Sequence, residues 1–338
     1  MSLFVIGRLR LFLFTYNIWS YYYNERIYYI VQNKIKNLLN RLQERDTKSL
    51  ARAITIVENE LDGYEDLLFQ LNNNTCTNVI GITGPPGAGK STLVNALIDY
   101  WVGIGKRIAI IAVDPSSPFN YGALLGDRIR MSKFYSHPNV FIRSLASRGV
   151  LGGLSGKILE ITDVVKAANY DYIIVETVGV GQSEVDIAGL ADCTVVALVP
   201  EAGDEVQTLK SGIMEIAHLF VVNKADRENA DALYRSLKIL VHEKASDTKE
   251  RAVIKTIATT HTGIAELAAA IEKNLTSIAN NTEKKFAFLS EKAWQLISHR
   301  RMRDISKAFL YQDIATKDLR SFNLYQYIAQ FDYTNNVT

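Results

Sequence analysis

The segment GITGPPGAGKSTLVNAL, residues 81–97, decides the fold of this chain. It matches the pattern G-x-x-x-x-G-K-[ST] and lies between a short apolar run and a segment with helical character. Glycines let such a loop wrap closely around an anion, so that its amides and those of the following helix point at phosphates. We expect Lys90 to reach the β and γ oxygens of a nucleotide, and Ser91 to ligate Mg²⁺. The predicted nucleotide contacts in the loop are Gly84, Pro85, Pro86, Gly87, Ala88, Gly89, Lys90, Ser91 and Thr92.

Seven short runs rich in β-branched residues alternate with helical or loop segments. Buried strands that alternate with helices indicate a mostly parallel sheet covered on both faces. The sequence therefore predicts an α/β fold, namely a P-loop NTPase G domain with helical extensions at both termini. The predicted strands are Val79–Thr83, Arg107–Val113, Val140–Arg143, Tyr172–Glu176, Thr194–Val199, Leu219–Asn223 and Val253–Ile257.

The identity of the base is indicated by the sequence VVNKAD, which ends the next-to-last predicted strand. Asn223, Lys224 and Asp226 match the N-K-x-D pattern of GTP-binding proteins. A carboxylate at Asp226 can accept hydrogen bonds from guanine N1–H and the 2-amino group, whereas adenine offers neither donor there. Asn223 is expected to hold the loop and the base edge, and the Lys224 stem to lie on the ring. The sequence therefore favours GTP and GDP over adenine nucleotides.

Carboxylates at strand ends are the candidate metal ligands and γ-phosphate sensors. Asp114, in VDPSSP, is expected to hold Mg²⁺ directly or through water, although a turn cap before Pro115 is an alternative role. The sequence ETVGVGQSE is similar to the D-x-x-G element, with Glu176 at the strand end and the amide of Gly179 offered to the γ-phosphate. The next residue, Val180, cannot orient a water molecule, so we expect slow intrinsic hydrolysis.

Composition limits the classes of partner and compartment. The formal charge of +2 arises from 38 Lys and Arg against 36 Asp and Glu, which gives no general attraction to nucleic acid or to anionic membranes. The two cysteines, Cys76 and Cys193, are far apart, and neither has a C-x-x-C neighbour, which favours a reducing compartment over a disulfide framework. We predict a cytoplasmic protein, or one of the mitochondrial matrix in a eukaryotic source.

The amino terminus, rich in aromatic and basic residues, leaves several interpretations open. Arg8 and Arg10 leave only Leu11–Tyr23 without a charge, too short and too polar for the about 20 apolar residues of a spanning helix. The remaining alternatives are an amphipathic or poorly ordered extension, a targeting peptide, a peripheral membrane contact and a mis-assigned start codon.

Helical periodicity precedes and follows the predicted sheet. We expect helix over Lys34–Leu71 and again over Ile264–Ile278 and Lys284–Ile328. The predicted domains are an N-terminal extension at 1–45, a helical lead-in at 46–77, a P-loop GTPase domain at 78–275 and a C-terminal helical, dimer-forming region at 276–338. The apolar stripe of the lead-in comprises Leu50, Ala53, Ile54, Val57 and Leu61.

Eight segments together carry a specific family resemblance over about residues 48–267. These are SLARAIT, GPPGAGKST, DPSSPF, LLGDRIRM, FIRSLASRGVLGGLS, ETVGVGQSE, GDEVQTLKSG and NKAD. They resemble the methylmalonyl-CoA mutase-associated GTPases, the MeaB/ArgK family, whose human relative underlies a methylmalonic aciduria. The resemblance implies a homodimeric GTPase chaperone that gates cofactor loading of an adenosylcobalamin-dependent acyl-CoA mutase and protects or reactivates it.

The resemblance also implies roles for individual residues. Asp114 and Asp127 match family carboxylates near Mg²⁺ and the mobile loops, and Glu176 joins them in the predicted metal set with Ser91. Residues 200–210 resemble a third mobile loop that relays the nucleotide state to the mutase. The matching residues of that loop are Asp204, Glu205, Gln207 and Lys210.

The sequence departs from the family pattern at three positions. Glu201 stands where relatives often have Gly, which would stiffen the third loop. In the base-binding segment, Ile257 replaces a serine and His261 a glycine, while Ala258 can still offer its amide to guanine O6 and Thr259 follows it. Guanine affinity is the property that these changes affect.

Two other function classes stay open beside the GTPase chaperone. A metal-inserting GTPase would need a Cys or His delivery cluster, and the chain has two isolated Cys and five scattered His. A P-loop small-molecule kinase, which includes the older link of this family to amino-acid transport, would need an acceptor pocket and would prefer ATP. The sequence shows neither a transport partner nor a membrane span.

Overall fold

The centre of the molecule is a seven-stranded sheet in which every neighbouring pair of strands is parallel. The computed structural model describes residues 29–71, 77–114, 131–146, 157–177, 183–201, 216–243, 251–278, 282–302, 305–318 and 322–330. The strands are β1 Asn78–Thr83, β2 Ile108–Asp114, β3 Val140–Ala146, β4 Tyr172–Glu176, β5 Cys193–Leu198, β6 Leu219–Val222 and β7 Ala252–Lys255. Their order in the sheet is β3-β2-β4-β1-β5-β6-β7, which confirms the predicted parallel α/β sheet.

Helices cover both faces of this sheet. The helices are α1 over 29–43, α2 Thr47–Glu58, α3 Tyr64–Phe69, α4 Lys90–Gly103, α5 Ile158–Lys166, α6 Ser183–Leu190, α7 Ala230–Glu243, α8 Ile264–Ile278, α9 Thr282–Arg301, α10 Lys307–Ala315 and α11 Leu324–Gln330. On one face of the sheet, α1, α2, α3, α5 and α6 pack against β1 to β4, and α7 packs against β5 to β7. The other face is covered by α4 and α8. Short 3-10 turns occur at Ser132–Phe134 and Ala258–Thr260.

The predicted continuous helix over Lys34–Leu71 is wrong, because the segment is divided into α1, α2 and α3. Arg45 adopts a left-handed φ of 67°, and Asp46 then caps α2 by accepting hydrogen bonds from two backbone amides. At the other end, Glu60 has a φ of 48°. Leu61 therefore lies beyond the helix and is 47% exposed, whereas the four other predicted stripe residues are buried.

Trp101 marks the core between α4 and the sheet. Its side chain is fully buried, and its indole N–H donates to Glu272 Oε1 at 3.0 Å. The hydroxyl of Tyr172 donates to the same oxygen at 3.2 Å, and the two ring centroids lie 4.9 Å apart. Burial, and then the adjacent Glu272 carboxylate, raise the pKa of Tyr172 to about 12. One carboxylate thus links α8 to both α4 and β4.

The chain forms two compact units, and the described residues from 282 onward make up the second. That unit consists of α9, α10 and α11 and carries large apolar side chains exposed to solvent, among them Trp294, Tyr311 and Tyr325. The predicted four-part domain division stays a prediction. The interpretations of residues 1–28 lie outside the described residues. No helix in the described part of the chain is long and apolar enough to cross a bilayer.

Candidate functional site: the nucleotide pocket

The phosphate loop connects β1 to α4 at the carboxyl edge of the sheet, where ligands of open α/β sheets bind. Gly84 has a φ of 140°, and a Cβ there would lie 2.1 Å from the carbonyl oxygen of Ala197. Gly89, with a φ of 79°, leads into α4 without a side-chain cap. The first amides of α4 are therefore available to an anion.

Lys90 is the first residue of α4, and its side chain points back into the loop. The residue is buried, and its ammonium donates to the carbonyl oxygens of Gly84 at 2.7 Å and Pro85 at 3.0 Å. A buried ammonium held by loop carbonyls is a positive charge that lies inside the phosphate cradle. The predicted contact of this ammonium with phosphate oxygens stays a prediction.

Ser91 and Glu176, two predicted metal ligands, contact each other directly. The Ser91 hydroxyl donates to Glu176 Oε1 at 2.7 Å, and both residues are buried. In the β2–β4 pairing Ala112 is opposite Glu176, so Asp114 ends the neighbouring strand two residues further on. Hydroxyl and carboxylate oxygens are the donors that Mg²⁺ prefers, so the pair fits the ion.

Asn223 joins three segments of the pocket through one buried amide. Its Nδ2 donates to the carbonyl oxygen of Ala88 in the phosphate loop at 2.9 Å. Its Oδ1 accepts from the Thr256 hydroxyl at 3.1 Å and from the Ala258 amide at 3.4 Å. Asn223 therefore holds together the phosphate loop, the N-K-x-D turn and the segment that is predicted to bind the base.

The predicted base contacts lie around this amide. Lys224 has a left-handed φ of 56°, and its Cε lies 3.8 Å from the position of a Cβ on Gly89, so the stem runs beside the phosphate loop. Asp226 is exposed, and its contact with the base stays a prediction. Ala258 is buried, and Ile257 is half-buried with its amide bonded to Thr262. Thr259 is exposed on the 3-10 turn.

Glu201 and His261, two of the residues that depart from the family pattern, contact charged side chains of other segments. Glu201 is bonded to Arg227, and this hydrogen bond is the main reason that the pKa of Glu201 lies below its usual value. The contact ties the start of the predicted third loop to the turn that carries Asp226. His261 has a left-handed φ of 60°, a conformation that favours glycine, and its Nε2 lies 3.5 Å from Asp99 Oδ2.

Sequence reasoning missed three buried threonines of the site. Thr256 supplies its hydroxyl to Asn223, one position before the family's serine. Thr177, directly after Glu176, donates to the Thr83 hydroxyl at 3.0 Å and so joins the ends of β4 and β1. The sequence signal that could have indicated these threonines is the presence of hydroxyl residues at the ends of neighbouring predicted strands.

Several predicted residues lie outside the described residues: Asp127, Gly179, Val180, Asp204, Glu205, Gln207 and Lys210. Of Asp114 the structure describes the backbone, which ends β2. The roles of these residues remain predictions.

Comparison with known proteins gives consistent matches over the sheet and its flanking helices. The profile of a family described as "Methylmalonyl Co-A mutase-associated GTPase MeaB" matches residues 50–309. A relative from Pyrococcus abyssi is 47% identical over 240 residues, which are 69% of this chain and 74% of the relative. GTPase ArgK of Escherichia coli is 38% identical over 244 residues, 69% of this chain and 73% of ArgK.

Two further matches extend the comparison. The mitochondrial methylmalonic aciduria type A homolog of Caenorhabditis elegans is 35% identical over 208 residues, 57% of this chain and 52% of the homolog. A crystal structure described as a LAO/AO transport system kinase superposes with a TM-score of 0.62 at 26% identity, over 85% of this chain and 94% of that one.

Proposed function

The chain belongs to the methylmalonyl-CoA mutase-associated GTPase family MeaB and is a GTPase, and we propose that it serves as chaperone to an adenosylcobalamin-dependent acyl-CoA mutase. Methylmalonyl-CoA mutase is the partner that the family name points to. In this proposal GTP hydrolysis gates the loading of the mutase with its cofactor, and the bound GTPase protects or reactivates the mutase.

The observation that carries the proposal is the buried contact between Ser91 and Glu176. Ser91 is the second residue of α4, which follows the phosphate loop, and Glu176 ends β4, directly before the segment predicted to sense the γ-phosphate. A ligand that draws the Ser91 hydroxyl away from Glu176 removes a buried hydrogen bond and changes the end of β4. The same two residues thus couple nucleotide state to the chain that follows.

Mg²⁺ belongs to this proposal, with Ser91, Glu176, Asp114 and Asp127 as the residues that would hold it. The ion would supply positive charge to the β- and γ-phosphate oxygens. The protein contributes the Lys90 ammonium and the first amides of α4, which stabilise negative charge on the transferring group.

A valine at position 180 leaves the attacking water without an orienting side chain. We therefore expect slow hydrolysis by the isolated protein and acceleration when the mutase orders the loops around the nucleotide. An activating contact supplied by a partner can increase the rate about 10³–10⁵-fold. Lys210, in the predicted third loop, is the residue that we expect to transmit this effect.

We also propose that the protein is a homodimer of the cytoplasm, or of the mitochondrial matrix in a eukaryote. Exposed aromatic side chains on the second unit, such as Trp294 and Tyr325, support an interface between copies. The buried free thiol of Cys193 is compatible with a reducing compartment.

The test is single-turnover GTP hydrolysis with and without the mutase. Lys210→Ala should bind GTP normally but lose the acceleration, and Lys273→Ala, at an exposed position of α8, is the charge-matched control. Fast hydrolysis by the free wild-type protein would contradict the proposed activation. Normal stimulation of Lys210→Ala would show that the third loop is not the relay.

A further inference from the structure

A cleft of about 870 Å³ lies between α1 and α2, away from the phosphate loop. The buried side chains of Ile35 and Leu38 line it, together with the half-buried Val31 and Ile56. Its volume is in the range of about 300–1,000 Å³ that is typical of sites for small organic ligands. The cleft can therefore hold the apolar part of such a ligand.

Three basic side chains line the same cleft: Lys34 and Arg41 on α1, and Arg52 on α2. Within the described part of the chain, the side chains of Lys34 and Arg52 have no hydrogen bond or ion pair. The Arg41 side chain acts on Asp46 only through its charge. These cations are therefore available to an anion.

The acidic side chains of the cleft are fewer, and one of them is engaged elsewhere. Glu60 is bonded to Lys157, whose ammonium lies 2.7 Å from Glu60 Oε1. This leaves Asp62 as the second carboxylate of the lining. The cleft thus has an apolar floor and an excess of positive charge, a combination that suits an amphipathic anion.

We propose that this cleft binds a phosphate ester with an apolar body. The planar guanidinium groups of Arg41 and Arg52 match the geometry of phosphate oxygens, and Ile35 and Leu38 cover the apolar part. Residues 1–28 are a poor occupant because Arg8, Arg10 and Arg26 outnumber Glu25. Charge complementarity therefore favours an external ligand.

Hexyl phosphate is a suitable probe, titrated by calorimetry into the full chain after saturation with GDP, so that the phosphate loop is occupied. We expect it to bind more tightly than inorganic phosphate or hexanol, because each lacks one half of the ligand. Arg41→Gln and Arg52→Gln should each weaken binding at least about 10-fold. Lys36→Gln, on the same helix but outside the cleft, removes an equal charge and should leave the affinity unchanged.

All three substitutions are at exposed positions, and circular dichroism checks that the fold is kept. Three results would overturn the inference: no binding of hexyl phosphate by the wild type, equal weakening by Lys36→Gln, or undiminished binding by the Arg41→Gln/Arg52→Gln double variant. Equal affinity for inorganic phosphate would rule out the role of the apolar floor. None of these outcomes depends on GTP hydrolysis or on the mutase.

Discussion

Replacing Asn223 by Ala is expected to weaken the fold and the nucleotide site together. The residue is 2% exposed, and its side chain makes three hydrogen bonds, of which the one from the Ala258 amide is the longest, at 3.4 Å. Removing the side chain breaks the two shorter bonds, at 2.9 and 3.1 Å, and leaves the Ala88 carbonyl and the Thr256 hydroxyl without these partners. A buried polar group that loses its partner costs about 1–3 kcal/mol, so two such groups lower the free energy of unfolding by about 2–6 kcal/mol.

A second substitution separates the hydrogen bond from the loss of side-chain volume. Thr256 is fully buried, and Thr256→Val keeps the shape of this side chain. The substitution removes the hydroxyl that donates a hydrogen bond to Asn223 Oδ1. We expect this variant alone to lose about 1 kcal/mol. Because both substitutions remove the same bond, the double variant should lose about 0.5–1.5 kcal/mol less than the sum of the single losses.

Equilibrium unfolding in urea measures these free energies, and calorimetry with GDP measures the accompanying loss of affinity. Asn37→Ala, at an exposed position of α1, is the control and should not lower stability, since Ala is the better helix former. Strictly additive losses would refute the assigned bond between Asn223 and Thr256. A loss below about 1 kcal/mol for Asn223→Ala would refute the joining role of this residue.

Three further predictions concern the base, the phosphates and the pH. Asp226→Asn should weaken GTP and GDP and improve binding of xanthine nucleotides in calorimetry, because an amide presents a donor to guanine's own donors; unchanged guanine affinity would contradict the assignment. Lys90→Ala should abolish GTP hydrolysis, since the variant lacks the ammonium that stabilises negative charge on the oxygens of the transferred phosphate. Its circular dichroism spectrum should match that of the wild type. Because the pKa of Tyr172 is raised from 10.0 to about 12, its stabilising contribution is complete below pH 10 and is lost as the pH rises toward 12. Urea unfolding between pH 10 and pH 12 should show a smaller loss of unfolding free energy for Tyr172→Phe than for the wild type. If the unfolding free energies of the two proteins fall in parallel over this range, the raised pKa of Tyr172 is contradicted.

The sheet was predictable from sequence because its signals are local. Each of the seven β-branched runs forms a strand, and the predicted bounds differ from the observed ones by at most three residues at either end. The predicted residues that lie just outside the strands are Arg107, Val199, Asn223, Thr256 and Ile257. The phosphate loop follows β1 and precedes α4 as its motif requires. Buried parallel strands show nearly continuous apolar runs, which turn residues interrupt clearly.

The contacts between segments could not be predicted in the same way. Asn223, Ala88 and Thr256 are far apart in sequence, and their hydrogen bonds depend on the order of strands in the sheet. The break between α1 and α2 was missed because Asp46, a helix cap, stands in a polar run that also fits a helix surface. The cleft likewise depends on how α1 and α2 pack, which periodicity does not specify.

The buried position of Trp101 gives the protein an intrinsic fluorescent probe. This indole is enclosed and hydrogen-bonded to Glu272 on a helix that faces the α4 core, whereas Trp294 in the second unit is 68% exposed. We expect Trp101 to emit at shorter wavelength and to resist acrylamide, and Trp294 to be quenched readily. The sequence holds a third tryptophan, Trp19, so Trp19→Phe combined with Trp294→Phe would leave Trp101 as the single tryptophan. This indole lies on the helix that begins at the phosphate loop, and its emission would report events at the nucleotide without an added dye.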